Sequence, residues 1–380
     1  MPLAQAAATG EAAIAATQAR YDIVIVGGGP AGCACALALV QQGQRDILLL
    51  EADDYTGFRI GESIPPESRR LFRSLGIDAA FMAEAHDPCY GSCSYWGSEQ
   101  RGYNDTLLSP HGHGWHLDRT RFNRFLAQRV RAAGVEVRTG TALLASAPAA
   151  VGYTLDLDAG GQRSRIDAGF VVDASGMRHL FARQRGQRKL QHDALLCLAM
   201  RYDLGQRSMS SLTHLEAAEH GWWYAARLPG GQLLVSLYSD AETVKAMRLQ
   251  HAPNWRAQLA CAGHTLRLTD GAACLDRQVR SFPAASDHLD HASGENWLAI
   301  GDAASAYDPI TAQGIVKSLA NGLQAAAAIT QQASGDSASL ARYAQGIGSD
   351  YDRYREARRY FYGLERRWPA SGFWRRRQQR

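Results

Sequence analysis

The sequence predicts an α/β fold in which a buried parallel sheet is interrupted by an inserted antiparallel one. Three observations predict it. Residues 21–26 and 46–51 are apolar runs of strand length separated by a glycine-rich turn and a helical stretch, which makes one βαβ unit. Residues 170–173 and 297–300 supply further runs of the same kind far downstream. Between these two, residues 192–240 change character and carry a hairpin turn at Pro229-Gly230-Gly231.

Composition narrows the class. The chain has 380 residues, 46% hydrophobic and 21% charged, which suits a globular protein with an ample core. Net charge is +4, but residues 352–380 alone carry ten arginines against three acids. A slightly acidic body with a basic tail is not the pattern of a nucleic-acid binder. No apolar run approaches the ~18 residues of a transmembrane segment, so a soluble protein is expected. Seven cysteines, an odd number, give no disulfide framework, and two of them, Cys33 and Cys35, fall in the first helix. A reducing cytoplasm is the expected home. Residues 1–19 form a loose leader with no basic residue before Arg20, unlike a signal peptide. Only three of the 41 cations are lysines, Lys189, Lys245 and Lys317, so no chemistry needing a lysine is available in the first 188 residues.

The elements follow in order. After the first strand, a helix runs to about residue 42 and Gly43 stops it. Residues 67–75 are helical, and residues 87–115 form an irregular, aromatic-rich stretch. Phe122, Phe125, Leu126 and Val130 stand at helical spacing before Gly134. Residues 135–137, 153–157 and 170–173 read as strands; residues 195–202, 221–228 and 233–237 read as antiparallel ones. A strand at 297–300 precedes a helix over 313–330. Tyr351, Tyr354 and Phe361 then mark an amphipathic, arginine-rich tail helix, a packed face or a docking surface for an acidic partner. The expected division is a discontinuous nucleotide-binding domain (20–85, 116–185 and 275–335), a substrate domain (86–115 and 186–274) and a helical basic tail (336–380).

Gly27-x-Gly29-x-x-Gly32 lies between the first strand and its helix, and Glu51 ends the next strand. Gly27 permits the tight turn, Gly29 admits a diphosphate to the backbone, and Gly32 allows close helix packing. The helix N-terminus offers free N–H groups to the diphosphate, and Glu51 accepts ribose hydroxyls. This is a Rossmann-like site for FAD or NAD.

A distal motif separates the two. Ala299-Ile300-Gly301-Asp302-Ala303-Ala304, with Tyr307-Asp308-Pro309 and Gln313-Gly314, resembles the second FAD fingerprint of the para-hydroxybenzoate-hydroxylase-like flavoproteins. The resemblance implies that Asp302 binds the ribityl chain. It also implies that Ala312, Gln313, Gly314 and Ile315 open a helix toward the flavin N1/O2 edge, where an N-terminus stabilises the charge of reduced flavin. Asp173-Ala174-Ser175-Gly176 matches the family's return to the cofactor, and Leu117-Asp118-Arg119 its helix start, with Arg119 on the FAD phosphates.

Within that superfamily, Gly61-Glu62-Ser63 and Gly221-Trp222-Trp223-Tyr224 resemble the tryptophan-halogenase-like branch. Halogenases of that branch place a lysine after the GES segment, where this chain has none. The branch also includes flavoprotein maturases of quinone-cofactor amine oxidases, which hydroxylate a tryptophan of a partner protein. The expectation is an FAD-dependent monooxygenase acting on an electron-rich aromatic, small or protein-borne, through a flavin C4a-hydroperoxide. NAD(P)H would supply electrons directly or through a separate flavin reductase. The alternatives are a halogenase, a geranylgeranyl-reductase-like flavin reductase and a non-enzymatic GDI-like escort. Tyr95, Trp96, Trp115, Trp222 and Tyr224 are expected to line an aromatic pocket suited to an indole. His111 and His116 are the candidate general bases. The run His111-x-His113-x-x-His116 lacks a matching Cys or carboxylate cluster, so no metal is expected.

Overall fold

The computed structural model describes residues 19–106 and 108–378. The leader expected over residues 1–19 therefore lies outside the described residues, except for Ala19, which opens the first strand. In chain order the elements that matter here are β1 (Ala19–Val26), α1 (Pro30–Gln41), β2 (Ile47–Leu50), β3 (Gly91–Tyr95), α2 (Arg119–Ala132), β4 (Glu136–Arg138), β5 (Gln162–Asp173), β6 (Leu195–Asp203), β7 (Thr213–Ala218), β8 (Gly221–Leu228), β9 (Gln232–Asp240), β10 (Trp297–Ala299), α3 (Gly314–Ala333), α4 (Ser339–Leu364) and α5 (Gly372–Gln378).

The parallel sheet has the order β10-β5-β1-β2-β4. Its central strands are buried on both faces: Val24, Ile25, Leu48, Leu49, Val171, Val172 and Leu298 are all inaccessible to solvent. That explains runs such as Ile47-Leu48-Leu49-Leu50, which would be wrong for a strand with a wet face. α1 covers one side and packs along α3, so residues nearly 300 positions apart share one core.

The second sheet is mainly antiparallel and has the order β6-β9-β8-β7-β3, ending on the exposed edge strand Gly102–Asp105. Strand alternation splits its side chains. Trp223, Met200 and Val235 face the helical cap built around Trp255. Trp222, Cys197, Leu234 and Tyr238 face the opposite way, toward the partly buried Phe58, Ile60, Phe282 and Ile310. Ile60 and Ile310 belong to segments that flank the nucleotide-binding half, so this face is where the two sheets meet.

Several expectations change. The stretch read as irregular over residues 87–115 contains short strands, because its segments pair with distant partners: Asp87–Cys89 and Ser63–Ile64 flank Gly114–His116, and β3 pairs with β7. Arg280–Pro283 pairs with β6, which carries the antiparallel sheet past the boundary expected at residue 274. The tail helix buries Tyr343, Ile347, Tyr351, Tyr354, Arg358 and Tyr362, whereas Phe361, expected on the same face, is exposed. Several arginines of the tail as a whole are ion-paired within the chain. Arg358 pairs with Asp193 (2.8 Å) and Asp308 (3.3 Å), Arg367 with Glu365 (2.7 Å), and Arg376 and Arg377 with Asp240 (2.5 and 2.6 Å). Among the described residues no helix is long and apolar enough to cross a membrane.

Candidate active site

A groove of about 290 Å³ opens at the carboxyl ends of the parallel strands, the place where open α/β sheets bind ligands. Gly27, Gly29, Glu51, Arg119 and Asp302 line it, together with Ala174, Ser175 and Gly176. Five of the expected cofactor residues, drawn from four separate segments, are thus brought to one cleft.

Each has a local reason for its place. Gly27 has φ +118°, a conformation side chains avoid, and a Cβ there would stand 2.2 Å from the Ala174 carbonyl oxygen. Gly32 lies beneath the groove, where a Cβ would meet the Gly27 carbonyl at 1.9 Å. Gly29 is the opposite case: a Cβ would meet nothing within 4 Å, so the space above its backbone is open. Glu51 is buried, and its carboxylate accepts the Gly28 amide at 2.8 Å and the Asp53 amide at 2.9 Å, which locks it at the groove edge.

Arg119 is held by the carbonyls of Ile60 (2.6 Å) and Gly61 (3.0 Å). Burial pushes its pKa down to about 10, against the pull of Glu62, which marks a cation short of an anion. A diphosphate in the groove would provide one. Asp173 does not reach the groove. It accepts the amides of Ser175 (3.0 Å) and Ala182 (2.9 Å), and so shapes the loop that does.

Asp302 faces the groove with 42% of its side chain exposed, while Lys317 donates to it at 2.8 Å. Lys317 was not singled out in the sequence, although it is one of three lysines. It is buried, also donates to the Ser305 carbonyl, and lies 4.4 Å from the Tyr307 ring centre. α3 begins at Gly314 with Gln313 as its cap. Ala312 before it is held at φ +51°, a conformation non-glycine residues adopt at a cost of about 1–3 kcal/mol. Ala312, Gln313, Gly314 and Ile315 do open a helix, but the groove lining stops short of them.

The aromatic residues do not form one pocket. Trp96 and Tyr95 point to opposite faces of the sheet, and Tyr95 stacks on His264 at 3.4 Å. Trp115 packs on Phe81 and His113 in the core of the other half. Trp222 is 1% exposed, stacks on Tyr238 at 4.0 Å and gives its indole N–H to Tyr362. The tail's Trp374 and Tyr362 occupy the space around Trp96 and Trp222. The alternation of β-strands and the intruding tail are the reasons. Tyr224 shares a 2.8 Å hydrogen bond with Ser63.

His116 is fully buried and shares a 3.0 Å hydrogen bond with Thr213, which bonds Ser63 at 2.9 Å. Burial, then His214 and Arg227, push its pKa down to about 4, so it is neutral at pH 7. That is a poor general base. His111 lies half-buried in its loop, where its amide bonds the Ser109 hydroxyl. His113 turns to the Gly114 carbonyl and to Trp115. Among the described residues no group of three His, Cys, Asp or Glu could hold a metal ion. Cys89 and Cys93 bond different partners, Thr213 and His214.

A glycine turn on a helix N-terminus, an acid on the second strand, a half-buried arginine and a second acid opposite form the arrangement expected of an FAD-dependent oxidoreductase. Residues 20–346 match the FAD binding domain family, and the chain belongs to it. It is an enzyme, an FAD-dependent oxidoreductase. It is 25% identical over 359 residues to a putative FAD-dependent oxidoreductase, LodB, of Marinomonas mediterranea, covering 94% of this chain and 96% of that one. Further relatives are flavin-dependent halogenases of Armillaria mellea. The structure of the flavin-dependent halogenase CmlS superposes with a TM-score of 0.85 at 24% identity, covering 96% of this chain and 68% of that one, and so shares the fold. The peptidyl tryptophan dihydroxylase QhpG, essential for tryptophylquinone cofactor biogenesis, superposes with a TM-score of 0.78 at 25% identity, covering 95% and 79%.

Proposed function

We propose that the protein is an FAD-dependent monooxygenase that hydroxylates an electron-rich aromatic, with a protein-borne tryptophan as the substrate class to test first. The observation that carries hydroxylation over halogenation is the state of the lysines. Among the described residues Lys317 is the one amine beside the groove residues, and it is tied to Asp302, Ser305 and the Tyr307 ring rather than lining the cleft. No lysine stands in the first 188 residues to divert an oxidant to halide. The likeness to QhpG over almost the whole chain supports the tryptophan.

In this reading Gly27, Gly29 and Arg119 hold the FAD diphosphate, with Gly32 keeping the turn tight, Glu51 takes the adenosine ribose and Asp302 the ribityl chain. The start of α3, residues 312–315, would offer a helix N-terminus to the charge of the reduced flavin. When bound, FAD supplies the two electrons that cleave dioxygen. The protein excludes water and orients the substrate on the face that carries Tyr224, Phe282 and Ile310. NAD(P)H provides the electrons, directly or through a separate flavin reductase.

Asp302→Ala is expected to weaken FAD binding about 10- to 100-fold, the worth of one charge-assisted hydrogen bond. Flavin absorbance after gel filtration reads it, and unchanged retention would remove Asp302 from the site. For the reaction, FAD-loaded protein given NAD(P)H, with and without a reductase, should consume oxygen faster when a tryptophan peptide is added. The peptide should gain oxygen, as read by mass spectrometry. A chlorinated or brominated product in halide buffer would overturn hydroxylation in favour of halogenation.

A further inference from the structure

Glu62 stands on the segment between the groove and the antiparallel sheet, and neither its burial nor its chemistry is explained by the fold. It is 3% exposed, and its Oε1 has no hydrogen-bond partner, which buried carboxylates rarely tolerate. The charged and titratable groups that face it come from four elements. Arg119 of α2 is the single cation, Tyr224 of β8 and Tyr238 of β9 are phenols, and Cys197 of β6 is a thiol. Beyond them, Ser63 joins Tyr224 (2.8 Å) to Thr213 (2.9 Å), and Thr213 joins His116 (3.0 Å). Arg119 lines the groove and Tyr224 packs at the junction of the two sheets, so Glu62 lies between the groove and that junction.

Burial pushes the Glu62 carboxyl up to about 7, while Arg119 and the Gly61 and Glu62 amides pull it down. His116, pushed to about 4, cannot take up a proton at neutral pH. Glu62 is therefore the group here whose affinity for a proton matches the working range of a base.

We propose that Glu62 is the catalytic base of the reaction, accepting the proton that the aromatic ring releases as it is hydroxylated. The inference rests on the monooxygenase reading. A C–O bond forms at the ring carbon, and its C–H bond breaks with the electron pair returning to the ring. The proton passes to a carboxylate oxygen of Glu62. The second oxygen atom leaves as water, with two electrons drawn from reduced flavin; of the flavin's two protons one stays on the new hydroxyl, and the other, with the proton Glu62 then releases, completes the water. Ser63 and Thr213 are positioning residues that fix the Tyr224 hydroxyl beside the site.

The test uses the FAD-loaded wild type with Glu62→Gln and Glu62→Asp. Without any substrate, an infrared pH titration should show one protonated carboxyl ionising near pH 7 in the wild type and none in the Gln variant. In turnover of the tryptophan peptide, the wild-type rate should rise with pH through the same range. The Gln variant should be about 10²- to 10⁴-fold slower and lose that limb, and the Asp variant should recover it. A carboxyl already ionised in the usual carboxylate range would overturn the inference. A Gln variant with a hydroxylated product and an unchanged pH limb would overturn it too, leaving the monooxygenase reading intact. A halogenated product would overturn the reading and the base role together, whatever the infrared titration gives.

Discussion

Gly29→Ala and Gly32→Ala are expected to lose flavin for different reasons, and the contrast separates binding from folding. At position 29 the backbone is already in a conformation any residue adopts (φ −75°), and an added methyl meets no protein atom within 4 Å. The variant should unfold at the temperature of the flavin-free wild type. Its methyl, however, occupies the approach to the helix N-terminus, where a diphosphate must come within hydrogen-bond reach of the amides. At position 32 the methyl would lie 1.9 Å from the Gly27 carbonyl oxygen and 3.2 Å from the Ala174 side chain. α1 must then lift from the turn, and overpacking of that kind costs about 1–3 kcal/mol or more. Gly32→Ala should therefore be both less stable and flavin-free. Thermal unfolding of the flavin-free proteins, beside flavin absorbance after purification, gives the two readouts. A Gly29→Ala protein that stays yellow would place the dinucleotide somewhere other than over this turn.

These glycines were legible because their spacing follows from the geometry of one turn, with partners close in sequence. The same holds for Glu51 and for the buried strands, whose apolar runs admit few other readings. Legibility failed where a residue's role depends on a partner far along the chain. Lys317 reads as one more helix residue until the fold brings it to Asp302. Glu62 sits in a segment that the sequence did single out, yet its interest comes from what encloses it, on strands more than 130 residues away. The expected indole pocket failed for a related reason. Trp222 and Trp96 do lie together, but the sequence does not say that Trp374 and Tyr362 fill the space beside them.

The tail is where that failure has the largest energetic consequence. Arg377 looks, in sequence, like part of a solvated basic run, Arg375-Arg376-Arg377. It is 1% exposed, its guanidinium donates to Asp240 at 2.6 Å and to the Phe373 carbonyl at 3.2 Å, and it lies 3.8 Å from the Phe373 ring centre. Asp240 ends β9 and is itself 5% exposed. Burial raises its pKa, but hydrogen bonds and charge from Arg377 and Arg376 outweigh that and hold it below the usual carboxylate value. A pair this deep is not a source of stability compared with apolar residues of the same shape, because both charges had to be dehydrated. Breaking it is another matter. Arg377→Ala leaves Asp240 buried with the half-exposed Arg376 alone and should cost about 3–5 kcal/mol. It should also free α5, with Trp374, from the face that carries Trp96 and Trp222. Asp240 has a depressed pKa in the folded state, so its pairing adds stability above the unfolded-state carboxylate pKa, and that stability is lost as pH falls through the lower folded value. The variant should show a weaker dependence on pH in that acid window. Urea unfolding at neutral and acid pH, followed by tryptophan fluorescence, reads both effects. A loss below about 1 kcal/mol, the range of an exposed pair, would mean that the tail is a solvated appendage free to dock elsewhere. The expected loss would mean that Arg377 and α5 are an integral part of the packing of the antiparallel sheet.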